Sequence, residues 1–133
     1  MREREGEGFR VAIDGDIAVL AWLALPTPAI APVALDAAAR QRGFVRGMPL
    51  LIIDTGEDAN APTDELRQYA RLLAVYQGTF GCFAIVVASE LSYGLARLMG
   101  AYAEALGAVL MIAKSPQEAK AALRSAMTLA KSA

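Results

Sequence analysis

Residues 83–89 read FAIVVAS, an apolar run that ends at a serine, and this stretch decides the fold. Two more runs repeat the pattern, LLIID at residues 50–54 and VLMIAKS at residues 109–115. A short apolar run that stops at a small polar cluster is typical of a buried strand in a parallel sheet. Helix-like stretches separate the three runs. The sequence therefore predicts an α/β protein whose strands end together at one edge, where such sheets bind ligands.

An antiparallel hairpin is predicted to open this sheet. Residues 9–14 and 17–23 are strand-like, and Asp14-Gly15-Asp16 lies at the turn between them. Asp-Gly between apolar runs is a good hairpin signal, because the turn requires positive φ. We therefore predict a mixed five-stranded sheet with about four helices. It forms a single domain over residues 9–133, and residues 1–8 precede it as a disordered, solvated tail.

Four helices are predicted from caps and from apolar spacing. The first begins near Pro32 and ends near Arg42, and the second begins at Thr63 as its N-cap. The third follows Ser89, and the fourth begins at the capping box of residues 115–118, SPQE. In the third helix, large apolar residues at helical spacing predict the buried stripe. They are Leu91, Leu95, Leu98, Met99, Tyr102 and Leu106.

Composition limits the classes of function. The chain has 133 residues, a net charge of −1, no histidine and one cysteine. That length holds one core, and that charge gives no broad attraction to nucleic acid. Without histidine, the commonest general base and zinc ligand are missing, and Cys82 is expected to be a buried hydrophobe. No apolar run reaches the roughly 18 residues of a membrane helix. We expect a cytoplasmic, non-catalytic protein that needs no cofactor or metal and does not span a membrane.

The order of elements over residues 9–123 resembles the STAS domain, the fold of bacterial anti-sigma-factor antagonists. Residues 83–106 carry most of the resemblance, because a strand ends there in a serine-rich turn before a helix with Tyr93-Gly94-Leu95-Ala96-Arg97. The closing strand and capped helix fit the same pattern. The chain is similar to a stand-alone STAS-like branch that is related in shape to CRAL-TRIO lipid-binding domains. The resemblance implies a regulatory module that binds a protein partner.

The same resemblance implies a phosphorylation switch. In sigma-factor regulation, STAS domains carry an Asp-Ser-x-Gly turn after the third strand, whereas this chain has Asp54-Thr55-Gly56, one residue shorter. Thr55 occupies the place of the serine, and Thr63 is the other nearby hydroxyl. A phosphate on either threonine would add about two negative charges and change the affinity for a partner.

The expected binding residues come from strand ends and one helix. They are Asp54, Thr55, Thr63, Ser89, Tyr93, Arg97 and Lys114. Tyr93 and Arg97 are four residues apart and share a helical face, so with Ser89 they would line a small pocket. In the alternative interpretation, Tyr93 is half-buried and the stem of Arg97 covers apolar surface.

Several functions stay open at this point. The first hypothesis is a non-catalytic regulatory or protein-interaction module, and the second is a carrier with a small-molecule or lipid pocket between the third helix and the sheet. A structural homodimer would bury an alanine-rich helix face. A receiver-like phosphoacceptor would use Asp54, Ser89 and Lys114, with Asp14 and Asp16 holding its divalent metal. The carboxylate pairs Asp14/Asp16 and Glu57/Asp58 lie in polar turns, which do not suit acid–base catalysis.

Overall fold

The computed structural model describes residues 3–6, 8–55 and 62–132, with side chains over residues 8–55 and 62–130. Six strands form one sheet: β1 (Glu3–Gly6), β2 (Phe9–Asp14), β3 (Ile17–Trp22), β4 (Leu50–Ile53), β5 (Phe83–Val86) and β6 (Leu110–Ala113). Four helices accompany them: α1 (Ala31–Ala39), α2 (Thr63–Tyr76), α3 (Glu90–Ala105) and α4 (Pro116–Ser132).

The predicted mixed sheet with an opening hairpin and four helices is confirmed. Strands β2 and β3 pair antiparallel, and Gly15 in their turn has φ of 63°. Strands β3 to β6 are parallel to one another. The structure adds one strand to the predicted five, because β1 pairs antiparallel with β2 from within the segment predicted as a tail. The hairpin therefore lies between an edge strand and the parallel half of the sheet.

The helices divide between the two faces of the sheet. Strands that follow one another in sequence are also neighbours in space, so α1, α2 and α3 each connect adjacent parallel strands in the same direction. Right-handed crossovers of this kind lie on a single face. Helix α4 follows the last strand, is free of that constraint, and packs on the opposite face against β4, β5 and β6.

Successive side chains of a strand point to opposite faces of the sheet, so the strands contribute to a hydrophobic core on each face. On β4, Leu50 faces α1, α2 and α3 while its neighbour Leu51 faces α4, and both side chains are buried. Leu123 of α4 is fully buried in the second core. Cys82 also lies there, 4% exposed, and burial raises the pKa of its thiol. The prediction of Cys82 as a buried hydrophobe is confirmed.

One predicted helix cap is confirmed and another is wrong. At the start of α4, the Ser115 hydroxyl accepts the Glu118 N–H at 3.1 Å, and Glu118 Oε2 accepts the Lys114 N–H at 3.3 Å. The Ser115 bond is that of the predicted capping box, while Glu118 reaches back to the N–H one residue before the cap. At the start of α2, Pro62 occupies the N-cap position and Thr63 is the first helical residue, without a side-chain cap. The fixed φ of Pro62 sets the direction in which the chain enters α2.

The predicted buried stripe of α3 is wrong at three of its six residues, since Leu91, Leu98 and Leu106 are 44%, 40% and 52% exposed. The other three, Leu95, Met99 and Tyr102, are half-buried, and the fully buried positions of α3 are Ser92, Ala96 and Ala103. Helix α3 packs against α2 as well as against the sheet, and short side chains allow it to approach both. The side of α3 that faces the sheet therefore includes small residues, and this leaves room between helix and sheet.

Candidate functional site

The predicted binding residues lie at the carboxyl edge of the parallel strands. Asp54 and Thr55 follow β4, Thr63 begins α2, Ser89 caps α3, and Lys114 follows β6. Strands β4, β5 and β6 are parallel and in register, which brings their ends to the same edge.

Tyr93, Arg97 and Lys114 come together at one end of this edge. The Arg97 guanidinium carbon lies 5.9 Å from the centre of the Tyr93 ring, and the Lys114 ammonium lies 6.0 Å from it. Tyr93 is half-buried, as the alternative interpretation predicts, and Arg97 is exposed. The three residues form a cationic and aromatic cluster beside β6, and none of them lines the cavity described next.

A cavity of about 150 Å³ lies between the sheet and helices α1, α2 and α3. Its walls are almost wholly aliphatic or aromatic. Side chains from three strands form the floor, and helical side chains form the roof. The apolar lining includes Leu20, Trp22, Leu35, Ile52, Leu66, Leu73, Ile85, Leu95, Ala96 and Met99. Leu25 also lines it and is 41% exposed, which shows where the cavity reaches the surface.

The small residues of α3 explain why the cavity exists. Ser92 and Ala96 are one helical turn apart and face the strands. A leucine at either position would fill the space that their short side chains leave open. The cavity therefore follows directly from the unexpected orientation of α3.

The described residues place three polar side chains in the lining, and Ser92 is one of them. Its residue is only 9% exposed, and its backbone N–H donates to the Ser89 hydroxyl at 3.1 Å. Its own hydroxyl has no hydrogen-bond partner among the described residues. A buried hydroxyl normally has a partner, so this group is available to a molecule in the cavity.

Among the described residues, Asp54 is the only charged side chain in the lining. Its backbone N–H donates to the Val86 carbonyl at 3.1 Å, and its Oδ1 accepts the Thr55 N–H at 2.9 Å. These two bonds fix the carboxylate at the end of β4. Oδ2 has no hydrogen bond to any residue that the structure describes. Asp54 thus presents one acceptor to an otherwise apolar space.

Tyr69 is the third polar group, and the protein itself already uses its hydroxyl. It donates to the Pro26 carbonyl at 3.0 Å, and Glu65 Oε1 lies 3.4 Å from the same oxygen. Burial, together with the charge of Glu65, raises the pKa of Tyr69 to about 12. The phenol therefore stays protonated at neutral pH and holds α2 against the segment that forms the cavity rim.

The acidic residues proposed for a receiver-like metal site lie at the opposite edge of the sheet. Asp14 and Asp16 flank the hairpin turn, next to the amino end of β3. Asp14 pairs with Lys120 at 2.7 Å, and Asp16 pairs with Arg124 at 3.3 Å. Asp14 and Asp16 therefore do not form a metal site together with Asp54. Glu57 and Asp58 lie outside the described residues. Within the described ranges, no group of three or more acidic or cysteine side chains is placed to hold a metal.

Sequence reasoning missed the residues that matter most for the cavity. Trp22, Tyr69 and Ser92 were not among the expected binding residues, and Asp54 alone of that set lines the cavity. One signal was present in the sequence. Ser92 and Ala96 are four residues apart in a helix rich in larger apolar residues, and a row of small side chains marks a helix face with open or closely packed surroundings.

Comparisons with known proteins give no match: no family model, no curated protein and no solved structure matches the chain. The resemblance to STAS domains therefore stays a prediction from the sequence. In residues 3–6, 8–55 and 62–132, no helix is long and apolar enough to cross a membrane.

Proposed function

We propose that this protein binds a small apolar molecule in the cavity and acts as its carrier or sensor. The supporting observation is the cavity itself, about 150 Å³ of space with an almost wholly apolar lining. A space of about this volume is large enough for a benzene-sized ligand. A longer molecule would extend past Leu25 toward the surface.

The apolar lining supports this proposal, because a ligand that covers it removes apolar surface from water. A ligand that binds only the native state also shifts the folding equilibrium toward that state.

The single tryptophan makes the proposal directly testable. Trp22 is the only tryptophan in the chain, and it lines the cavity. Toluene should change its fluorescence in a saturable way, because the ring would lie against the indole. Calorimetry of the same titration should show a negative heat-capacity change, the mark of apolar burial.

Two leucine variants on α3 provide the control. Ala96→Leu fills the cavity and should abolish toluene binding, whereas Ala101→Leu adds the same group on the exposed side of α3 and should leave it unchanged. If toluene produces no saturable signal by either method, or binds equally well to Ala96→Leu, the proposal fails.

A regulatory protein-interaction module of STAS-like type is the second candidate. Leu91, Leu98 and Leu106 of α3 and its C-cap are 44%, 40% and 52% exposed, at a spacing that places them on one side of the helix. Exposed apolar residues in one patch are typical of a binding surface. Thr63 is exposed at the first position of α2, where a phosphate would meet the positive end of the helix dipole.

Pull-downs with matched charge substitutions test this second candidate. Leu98→Asp should lose a partner that the wild-type protein retains, while Leu129→Asp on exposed α4 should keep it. Thr55→Glu and Thr63→Glu should leave the fold intact and weaken the same interaction if phosphorylation tunes it. A partner bound equally by all four variants would exclude this surface and this switch.

A further inference from the structure

We propose that the ligand carries a hydroxyl group on its apolar body and that this hydroxyl binds between Asp54 and Ser92. The inference rests on the proposed ligand-binding function and specifies the ligand's chemistry. It depends on two polar groups that the described residues leave without complete partners, in a cavity whose other described lining is apolar apart from Tyr69.

Ser92 is the first of the two polar groups. Its residue is 91% buried, since 9% is exposed, and it lines the cavity. No described residue accepts from its hydroxyl or donates to it. The hydroxyl oxygen is not fully enclosed, because every fully enclosed side-chain oxygen of the described residues has a hydrogen-bond partner. Ser92 therefore has a donor and an acceptor that a ligand in the cavity can use.

Asp54 is the second polar group. A carboxylate only accepts hydrogen bonds, and the Thr55 N–H already occupies Oδ1. None of the described residues donates to the second oxygen, so it can accept a donor from the ligand. A hydrogen bond to a charged group is stronger than one between neutral groups, especially where water is excluded. Asp54 also repels a carboxylate ligand, so free fatty acids and other apolar acids are disfavoured.

A hydroxyl satisfies both residues with one group. It donates its proton to Asp54 and accepts the proton of Ser92 through its own oxygen. An ammonium would donate to Asp54 and to the Ser92 oxygen but would leave the Ser92 proton without an acceptor, and a methyl group satisfies neither residue. An uncharged apolar alcohol is therefore the ligand class that this polar pair fits.

Four probes with one ring and different head groups test the assignment at pH 7.5. They are toluene, benzyl alcohol, benzylamine and benzoate, each titrated against Trp22 fluorescence and confirmed by calorimetry. Benzyl alcohol should bind roughly tenfold or more tightly than toluene, the gain expected from a hydrogen bond to a charged group. Benzoate should bind more weakly than toluene.

Two variants separate the roles of the residues, with urea unfolding as a check that each one folds. Ser92→Ala and Asp54→Asn should each bring the affinity ratio of benzyl alcohol to toluene toward one. Asp54→Asn should also raise the affinity for benzoate relative to toluene. Equal binding of toluene and benzyl alcohol by the wild-type protein would overturn the hydroxyl assignment, and so would benzylamine as the tightest probe. Failure of all four probes would instead contradict the cavity function itself.

Discussion

Replacing Ala96 by leucine should stabilise the protein, because the new side chain enters space that is already empty. Ala96 is 3% exposed and lines the cavity on the sheet-facing side of α3. Most alanine-to-leucine changes at buried sites do the opposite, since a well-packed core has no room for added groups. The sign of this one effect therefore reports whether the cavity is real.

The expected magnitude follows from the groups that are buried. Leucine adds three carbon groups to alanine, and at ~0.8 kcal/mol for each buried group the gain is about 2.4 kcal/mol. Fixing the leucine rotamer costs about 0.5 to 1 kcal/mol. Small adjustments of the lining side chains reduce the gain further. A net stabilisation of about 1 kcal/mol is the expected result.

Ala103 provides the matched comparison. It lies two turns further along α3, is fully buried, and does not line the cavity. Ala103→Leu should therefore destabilise the protein by about 1 to 3 kcal/mol through overpacking. Both values come from urea unfolding followed by Trp22 fluorescence and circular dichroism. Destabilisation of similar size in the two variants would refute the reasoning, because it would show that α3 has no open space beneath Ala96.

Three further changes test other parts of the structure. Asp14→Asn should lower stability at pH 7 by less than about 1 kcal/mol. Pairing with Lys120 lowers the pKa of Asp14, so the difference from wild type should disappear as acidification protonates this carboxylate in urea melts. Tyr69→Phe should cost about 1 kcal/mol in the same assay, because the Pro26 carbonyl loses its donor. Leu123→Ala should cost about 2 to 5 kcal/mol, since that side chain is fully buried under α4.

Local signals predicted most of the fold because they depend on short stretches of chain. The turn at Gly15 requires positive φ, and the Ser115 capping box satisfies backbone donors within one helical turn. Such features leave a pattern that does not depend on distant contacts. The edge strand β1 has no such pattern in the sequence, because its charged residues do not alternate with apolar ones.

The second hypothesis placed a pocket between the third helix and the sheet, but the orientation of α3 and the residues that line the cavity could not be predicted in the same way. Periodicity identifies the side of a helix that carries large apolar residues, yet the neighbours of the helix decide which side faces the sheet. Here α2 packs along α3, and Ser92 and Ala96 face the strands instead of Leu91 and Leu98. An empty cavity depends on how several helices and strands pack against one another. Only Asp54, at the end of its strand, could be assigned to the site from the sequence.

A crystal structure of the protein under xenon pressure tests the central claim most directly. Xenon binds in dry apolar cavities of about this size and is located by its own scattering. We expect a xenon atom between the sheet and α3, in contact with Leu20, Ile52 and Ala96. Well-ordered crystals with no xenon at this place, and with side chains filling the space, would contradict the claim.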